Sequence, residues 1–216
     1  MKKIPFYLSI DFEDLAYDLL RSIGKTPKVS TEALILSYNL INEYSKKKLN
    51  KKKLTFFTTG TVARTMPDLI KQMVVDGHEV GSHYNLHDLM YKQSHYEIAK
   101  NLEISKESIF KACGKEPIGF RAPIFSITPD RLDIYKEIDR FFQYDSSHII
   151  NLDINNKDYF DELEPFKSID LVEFPIVPKG YIMSKVQIKS GGSFLRIFSK
   201  KIIKEVMNYN YINNFT

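Results

Sequence analysis

The chain has 216 residues, of which 43% are hydrophobic and 27% charged, and its formal net charge is +4. Such values suit one folded domain with a sizeable core and exclude a disordered, highly charged chain. No run of about 18 apolar residues occurs, so no membrane-spanning helix is expected.

In chain order, MKKIPFYLSIDFED begins with two lysines and a short apolar stretch. The apolar part is too short for a signal peptide and acids follow directly, so the cytoplasm is the expected location. FYLSI (6–10) reads as the first strand, ending in the acids of DFED. Ser30 is expected to cap an amphipathic helix through STEALILSYNLINEYSKK, with Leu34, Tyr38, Ile41 and Tyr44 on one face. The run KKKLNKKK (Lys46 to Lys53) then reads as a solvated helix end with a mild attraction to anionic partners. It lacks the aromatic-basic interleaving of a nucleic-acid surface, so no nucleic acid is expected.

LTFFTTG (54–60) is the second predicted strand, closed by Gly60. Pro67 suits the first turn of a helix through PDLIKQMVVD, and Gly77 stops it. HEVGS is the third strand, and Ser94 with Glu97 spells a capping box opening the helix YEIAKNLEISKESIFKACG. Cys113, the one cysteine, rules out an internal disulfide and reads as a small packing residue. IGFRAP (118–123) is the fourth strand, and Thr128-Pro129 starts a helix through PDRLDIYKEIDR. FFQYDSS and LVEFPIV are the fifth and sixth strands, and FLRIFSKKIIKEVM reads as a last helix. Regular β-α alternation with apolar strands implies a parallel sheet covered by helices in one domain, 1–216.

DFED, SHYNLH, FRAP and YDSS each follow the C-terminal end of a predicted strand, where such folds assemble their sites. His83 and His87, four apart, face one way if they share a helical turn, the geometry of a bidentate metal grip. Asp11, Glu13 and Asp14 come to the same sheet edge. Two histidines and one carboxylate, with a position open to water, form a recurrent hydrolytic metal set, and a second carboxylate could take the water's proton. Arg121, ahead of the rigid Pro123, could pair with that base or anchor an anionic group. Asp145 could pair with Arg121 or serve only as a turn acid.

In order, SIDFED, GHEVGSHYNLH, GFRAPIFSIT and YDSS resemble the successive motifs of the NodB-type polysaccharide deacetylases, carbohydrate esterase family 4. The likeness is to the exopolysaccharide and surface-glycan branch, with its D-x-E-D and RAP-x-FS motifs. It covers roughly residues 6–195, with EFPIVP and GGSFLRI also in place. The resemblance implies a distorted, incomplete (β/α) barrel that removes N- or O-acetyl groups from sugars with a divalent metal, zinc foremost and cobalt, nickel or manganese as alternatives. It implies Asp14, His83 and His87 as metal residues, Asp11 or Glu13 as the base, Arg121 as its orienting partner and Asp145 as the fourth-motif acid.

The family also supplies a late-strand histidine as general acid, whereas the segment after GGSFLRI here, SKKIIKEVMNYNYINNFT, has none. The last barrel strand is accordingly expected to be missing. His148 after the fifth strand could substitute, and His95 is expected near a helix cap. An open strand edge would suit a homodimer. The expected substrate is an N-acetylated sugar carried on a nucleotide or lipid. The alternatives are a catalytically impaired sugar-binding or scaffold protein, and a hydrolase of another non-peptide C–N bond.

Overall fold

The computed structural model describes residues 8–14, 16–25, 31–49, 53–149, 166–176, 179–182 and 186–189. Six short strands form one parallel sheet in sequential order: β1 (Ser9–Phe12), β2 (Thr55–Thr58), β3 (Glu79–Ser82), β4 (Gly119–Phe120), β5 (Tyr144–Asp145) and β6 (Val172–Glu173). Among the described residues β1 and β6 are its edges and the sheet is open, an incomplete barrel as the resemblance implies. A separate antiparallel hairpin joins β7 (Lys179–Ile182) to β8 (Val186–Lys189). The helices are α1 (Ala16–Ile23), α2 (Thr31–Lys48), α3 (Gly60–Thr65), α4 (Pro67–Val75), α5 (His95–Cys113) and α6 (Ile134–Asp139). Ser30 and the predicted helix FLRIFSKKIIKEVM lie outside the described residues.

Local chemistry sets the helix ends. Ser94 accepts the Glu97 N–H and Glu97 Oε2 accepts the Ser94 N–H, which completes the capping box of α5. Gly114 ends that helix in the left-handed conformation, φ 71°. Gly60 does not close a strand, as the sequence suggests, but opens α3 with Thr59 as its cap. A Cβ on Gly60 would stand 2.8 Å from Asn85 Oδ1, so glycine here permits a close approach between α3 and the loop after β3. Pro129 starts only a single 3-10 turn, Pro129–Arg131, and α6 begins three residues later.

Side chains alternate along a strand, and the pairing register carries that alternation across the sheet. Ile10, Phe56 and Val80 align, as do Phe12, Ser82, Phe120, Asp145 and Glu173; both rows face the helices. Two buried clusters form there: Phe12, Phe56 and Val80 with Tyr38, Ile70 and Met73, and Phe120 with Ile98, Leu102, Tyr135 and Ile138. Asp11, Phe57, Gly81, Gly119 and Tyr144 form the row on the inner face. A Cβ on Gly81 would lie 2.7 Å from the Phe57 ring, and one on Gly119 would overlap the Tyr144 ring. The two absent side chains are therefore the seats of two aromatic rings, which fill the inner face below the strand tips.

Candidate metal centre

Three site residues occupy equivalent places, each one step past the C-terminal end of its strand: Glu13 after β1, His83 after β3 and Arg121 after β4. The strand period thus aims all three inward, above the Phe57 and Tyr144 rings. His87 arrives by another route. The loop from His83 to His87 is irregular, not the helical turn its spacing suggests, and Tyr84 takes φ 70°. The Tyr84 and Asn85 carbonyls are spent outside the loop, accepting the Gly60 and Thr61 N–H groups at 2.9 and 3.1 Å. Arg64 Nη1 donates to Asn85 Oδ1 at 2.9 Å. The start of α3 therefore pins the loop so that His87 folds back over His83.

The Nε2 atoms of His83 and His87 lie 3.1 and 2.5 Å from Glu13 Oε2. Each of the three residues offers a ligand atom within 4.8 Å of the others, and both imidazoles are buried. His83 Nδ1 is 2.8 Å from the Arg121 carbonyl. A carbonyl only accepts, so Nδ1 carries the proton and Nε2 is left to meet the Glu13 carboxylate. In a neutral ring that nitrogen presents a lone pair to a negative oxygen, an arrangement that needs a cation between them, either a proton or a metal ion. The chemistry of the donor set fits a divalent ion. Burial raises the Glu13 carboxyl, but hydrogen bonds and charge from His83 and His87 outweigh it and lower the carboxyl to about 2.

Asp11 stands apart from this group. Arg121 Nη1 donates to Asp11 Oδ1 at 2.9 Å. The guanidinium is itself fixed: Nε donates to the Ser146 carbonyl at 3.0 Å, Nη2 to Ser146 Oγ at 2.8 Å, and the plane lies 4.3 Å from the Phe57 ring centroid. The expected division of the acids is thereby corrected. Glu13, not Asp14, joins the two histidines, because Asp11 and Glu13 share one side of the β1 line while Asp14 follows Phe12 on the other. Asp145 forms no ion pair with Arg121 in the structure. It is fully buried, accepts the Ser147 N–H and hydroxyl at 2.8 and 2.7 Å, and reaches the arginine only through that turn.

The other histidines are engaged elsewhere. His148 Nδ1 meets the Tyr135 hydroxyl at 3.3 Å and its ring packs on Tyr135 and Phe166, beneath α6. His95 lies at the start of α5 between Asp133 and Glu137. Sequence reasoning assigned no role to Phe57, Ser146 or Glu173. An acid within the apolar run LVEFPIV is a signal that could have found the last of these.

An open parallel barrel with a His-His-carboxylate group at its strand tips defines a class of protein, and the comparisons narrow it. The polysaccharide deacetylase family model matches residues 45–140. Peptidoglycan-N-acetylglucosamine deacetylase PgdA of Listeria monocytogenes is 34% identical over 71 residues, 33% of this chain and 15% of that protein. A chitooligosaccharide deacetylase of Bradyrhizobium is 34% identical over 79 residues, 36% of each. A crystal structure assigned to the polysaccharide deacetylases, from Mycobacterium smegmatis, shares the fold at TM-score 0.52 and 18% identity, covering 81% of this chain and 61% of the other. The chain spans only 29% and 32% of the length of two further curated relatives. Residues 45–140 therefore carry a likeness to the polysaccharide deacetylases, and the fold is shared with the Mycobacterium smegmatis structure. No helix among the described residues is long and apolar enough to cross a membrane.

Proposed function

We propose that this chain is a metal-dependent carbohydrate deacetylase, hydrolysing the N-acetyl, or O-acetyl, group of a sugar during surface-polysaccharide synthesis. The observation that carries this reading is the convergence of His83 Nε2, His87 Nε2 and Glu13 Oε2, with the His83 proton committed to the Arg121 carbonyl. Glu13, His83 and His87 would hold the ion, and a divalent ion, zinc foremost, supplies Lewis acidity toward a carbonyl oxygen and a more acidic water.

Asp11 is the base on this reading. Arg121 occupies its Oδ1, leaving Oδ2 to take the proton of the attacking water. Arg121 orients that carboxylate and does not touch the substrate itself. Cleavage of an amide then requires a proton on the departing nitrogen. With two of the five histidines at the metal group and the other three engaged elsewhere, the proton collected on Asp11 is the one at hand for the amine.

Metal analysis of the purified protein, beside acetate release from chito-oligosaccharides and N-acetyl sugar nucleotides, tests the proposal. Bound zinc that disappears in His83→Ala, together with acetate release by the unaltered chain, supports it. The position of His148 beneath α6 favours a second reading, a sugar-binding protein that keeps the metal group but lacks a dedicated acid. That reading predicts stoichiometric metal and saturable sugar binding with no acetate released.

A further inference from the structure

Behind the site, on the helix-facing row of the sheet, two acids stand side by side. Asp145 and Glu173 are register partners on the adjacent parallel strands β5 and β6. Asp145 is fully buried, and its two oxygens are taken up by Ser147. Glu173 Oε1 accepts the His148 N–H at 3.1 Å, while its Oε2 is buried and, among the described residues, meets no N–H or O–H donor. Among the described residues, the titratable groups facing the pair are Arg121 from the tip of β4, Tyr135 from α6 and His148 from the turn after β5. Arg121 commits its Nε, Nη1 and Nη2 to Ser146 and Asp11, and the Tyr135 hydroxyl turns to His148. Two ionised carboxylates in such a place would repel without a counter-ion. One proton between them turns the repulsion into a hydrogen bond.

We propose that Asp145 and Glu173 share a single proton, carried by Glu173, and that this acid pair is a positioning device for the Arg121–Asp11 couple. The connection runs through one turn. Glu173 presents its proton to Asp145, and Asp145 anchors the Ser147 N–H and hydroxyl. Ser147 Oγ accepts the Ala122 N–H at 2.7 Å, and Ser146 holds the guanidinium through its carbonyl and hydroxyl. The Ser146 hydroxyl in turn donates to the Phe174 carbonyl, beside Glu173, at 2.9 Å. Burial pushes both acids above the ordinary carboxylate range, and the negative charge of Asp145 raises Glu173 further. The catalytic consequence rests on the deacetylase reading, whereas the shared proton does not.

The test compares the unaltered chain with Glu173→Gln and Glu173→Ala. Infrared difference spectra near neutral pH should show a protonated-carboxyl C=O stretch in the unaltered chain that is missing from Glu173→Gln. Above the ordinary value of 4.5 the unfolded chain releases this proton and the folded chain keeps it. The thermal midpoint of the unaltered chain should therefore fall relative to Glu173→Gln as pH rises from about 5 to about 9. In acetate release, Glu173→Ala should lower kcat by roughly tenfold to a hundredfold with KM little changed. Glu173→Gln, which keeps a donor toward Asp145, should recover most of that loss. An absent carboxyl band, or a Glu173→Gln midpoint that follows the same pH dependence as the unaltered chain, overturns the proposal. Should no acetate be released by any form, the deacetylase reading fails, and the band and the midpoints still decide the shared proton.

Discussion

Two buried histidines flank β3, His78 just before it and His83 just after it, and they are used in opposite ways. His78 Nδ1 accepts the Leu54 N–H at 3.3 Å, which leaves Nε2 to donate to Asn42 Oδ1 at 3.1 Å. Asn42 Nδ2, the Tyr38 hydroxyl and Lys46 all converge on Asp76, so Nε2 of His78 leads into a network that ties α2 to the turn after α4, while Nδ1 holds the residue before β2. His83 has one nitrogen fixed by a carbonyl and the other turned to a carboxylate and a second imidazole. Burial and residue type are the same. What separates the proposed ligand, His83, from the structural histidine is whether the partner of the unprotonated nitrogen can itself supply a proton.

The largest expected effect breaks this contrast at its functional end. His83→Ala should remove bound metal and acetate release together, whereas His78→Ala should leave metal content unchanged by elemental analysis; metal lost equally from both would erase the distinction. Next, Asp11→Asn should lower kcat about 10²- to 10⁴-fold while the metal stays bound, since a base is lost and no ligand. A fall in metal content would move Asp11 into the ligand group. At the structural end, His78→Ala orphans the Leu54 N–H and should cost about 1–3 kcal/mol in denaturant unfolding.

The smallest effect concerns pH. Burial raises the Asp76 carboxyl, but hydrogen bonds from Tyr38, Lys46 and Gln72 outweigh it and lower Asp76 to about 2 from 3.8. Its contribution is present above pH 3.8 and is lost as pH falls through about 2. Burial likewise lowers His78 from 6.5, so its contribution is complete above that value and declines on acidification. Thermal midpoints should therefore show a shallower acid limb in both Asp76→Asn and His78→Ala than in the unaltered chain. An unchanged limb would detach the network from acid stability.

Much of this was legible in the residues, for reasons that differ by element. The capping box at Ser94 and Glu97 and the Pro67 helix start rest on local hydrogen bonding and fixed φ, so they survive folding unchanged. The strands are shorter than their apolar runs, since β4, β5 and β6 hold pairing for two residues each before the chain bends to the tip loops. The eight-residue α1 gives too few helical periods to stand out, and the β7–β8 hairpin carries no strong turn signal. Strand period could have separated the acids: Phe12 belongs to the core, so Asp11 and Glu13 must share the opposite side. Nothing local announces that the carbonyls after His83 would be claimed by α3, and that tertiary claim replaced the expected helical turn.

Phe57 and Tyr144, seated over Gly81 and Gly119, close off the inner face below the strand tips. Among the described residues, Asp11 and the two imidazoles therefore stand at the strand tips above an aromatic floor. On the proposed reading, the acetyl group of a bound sugar would rest above this floor.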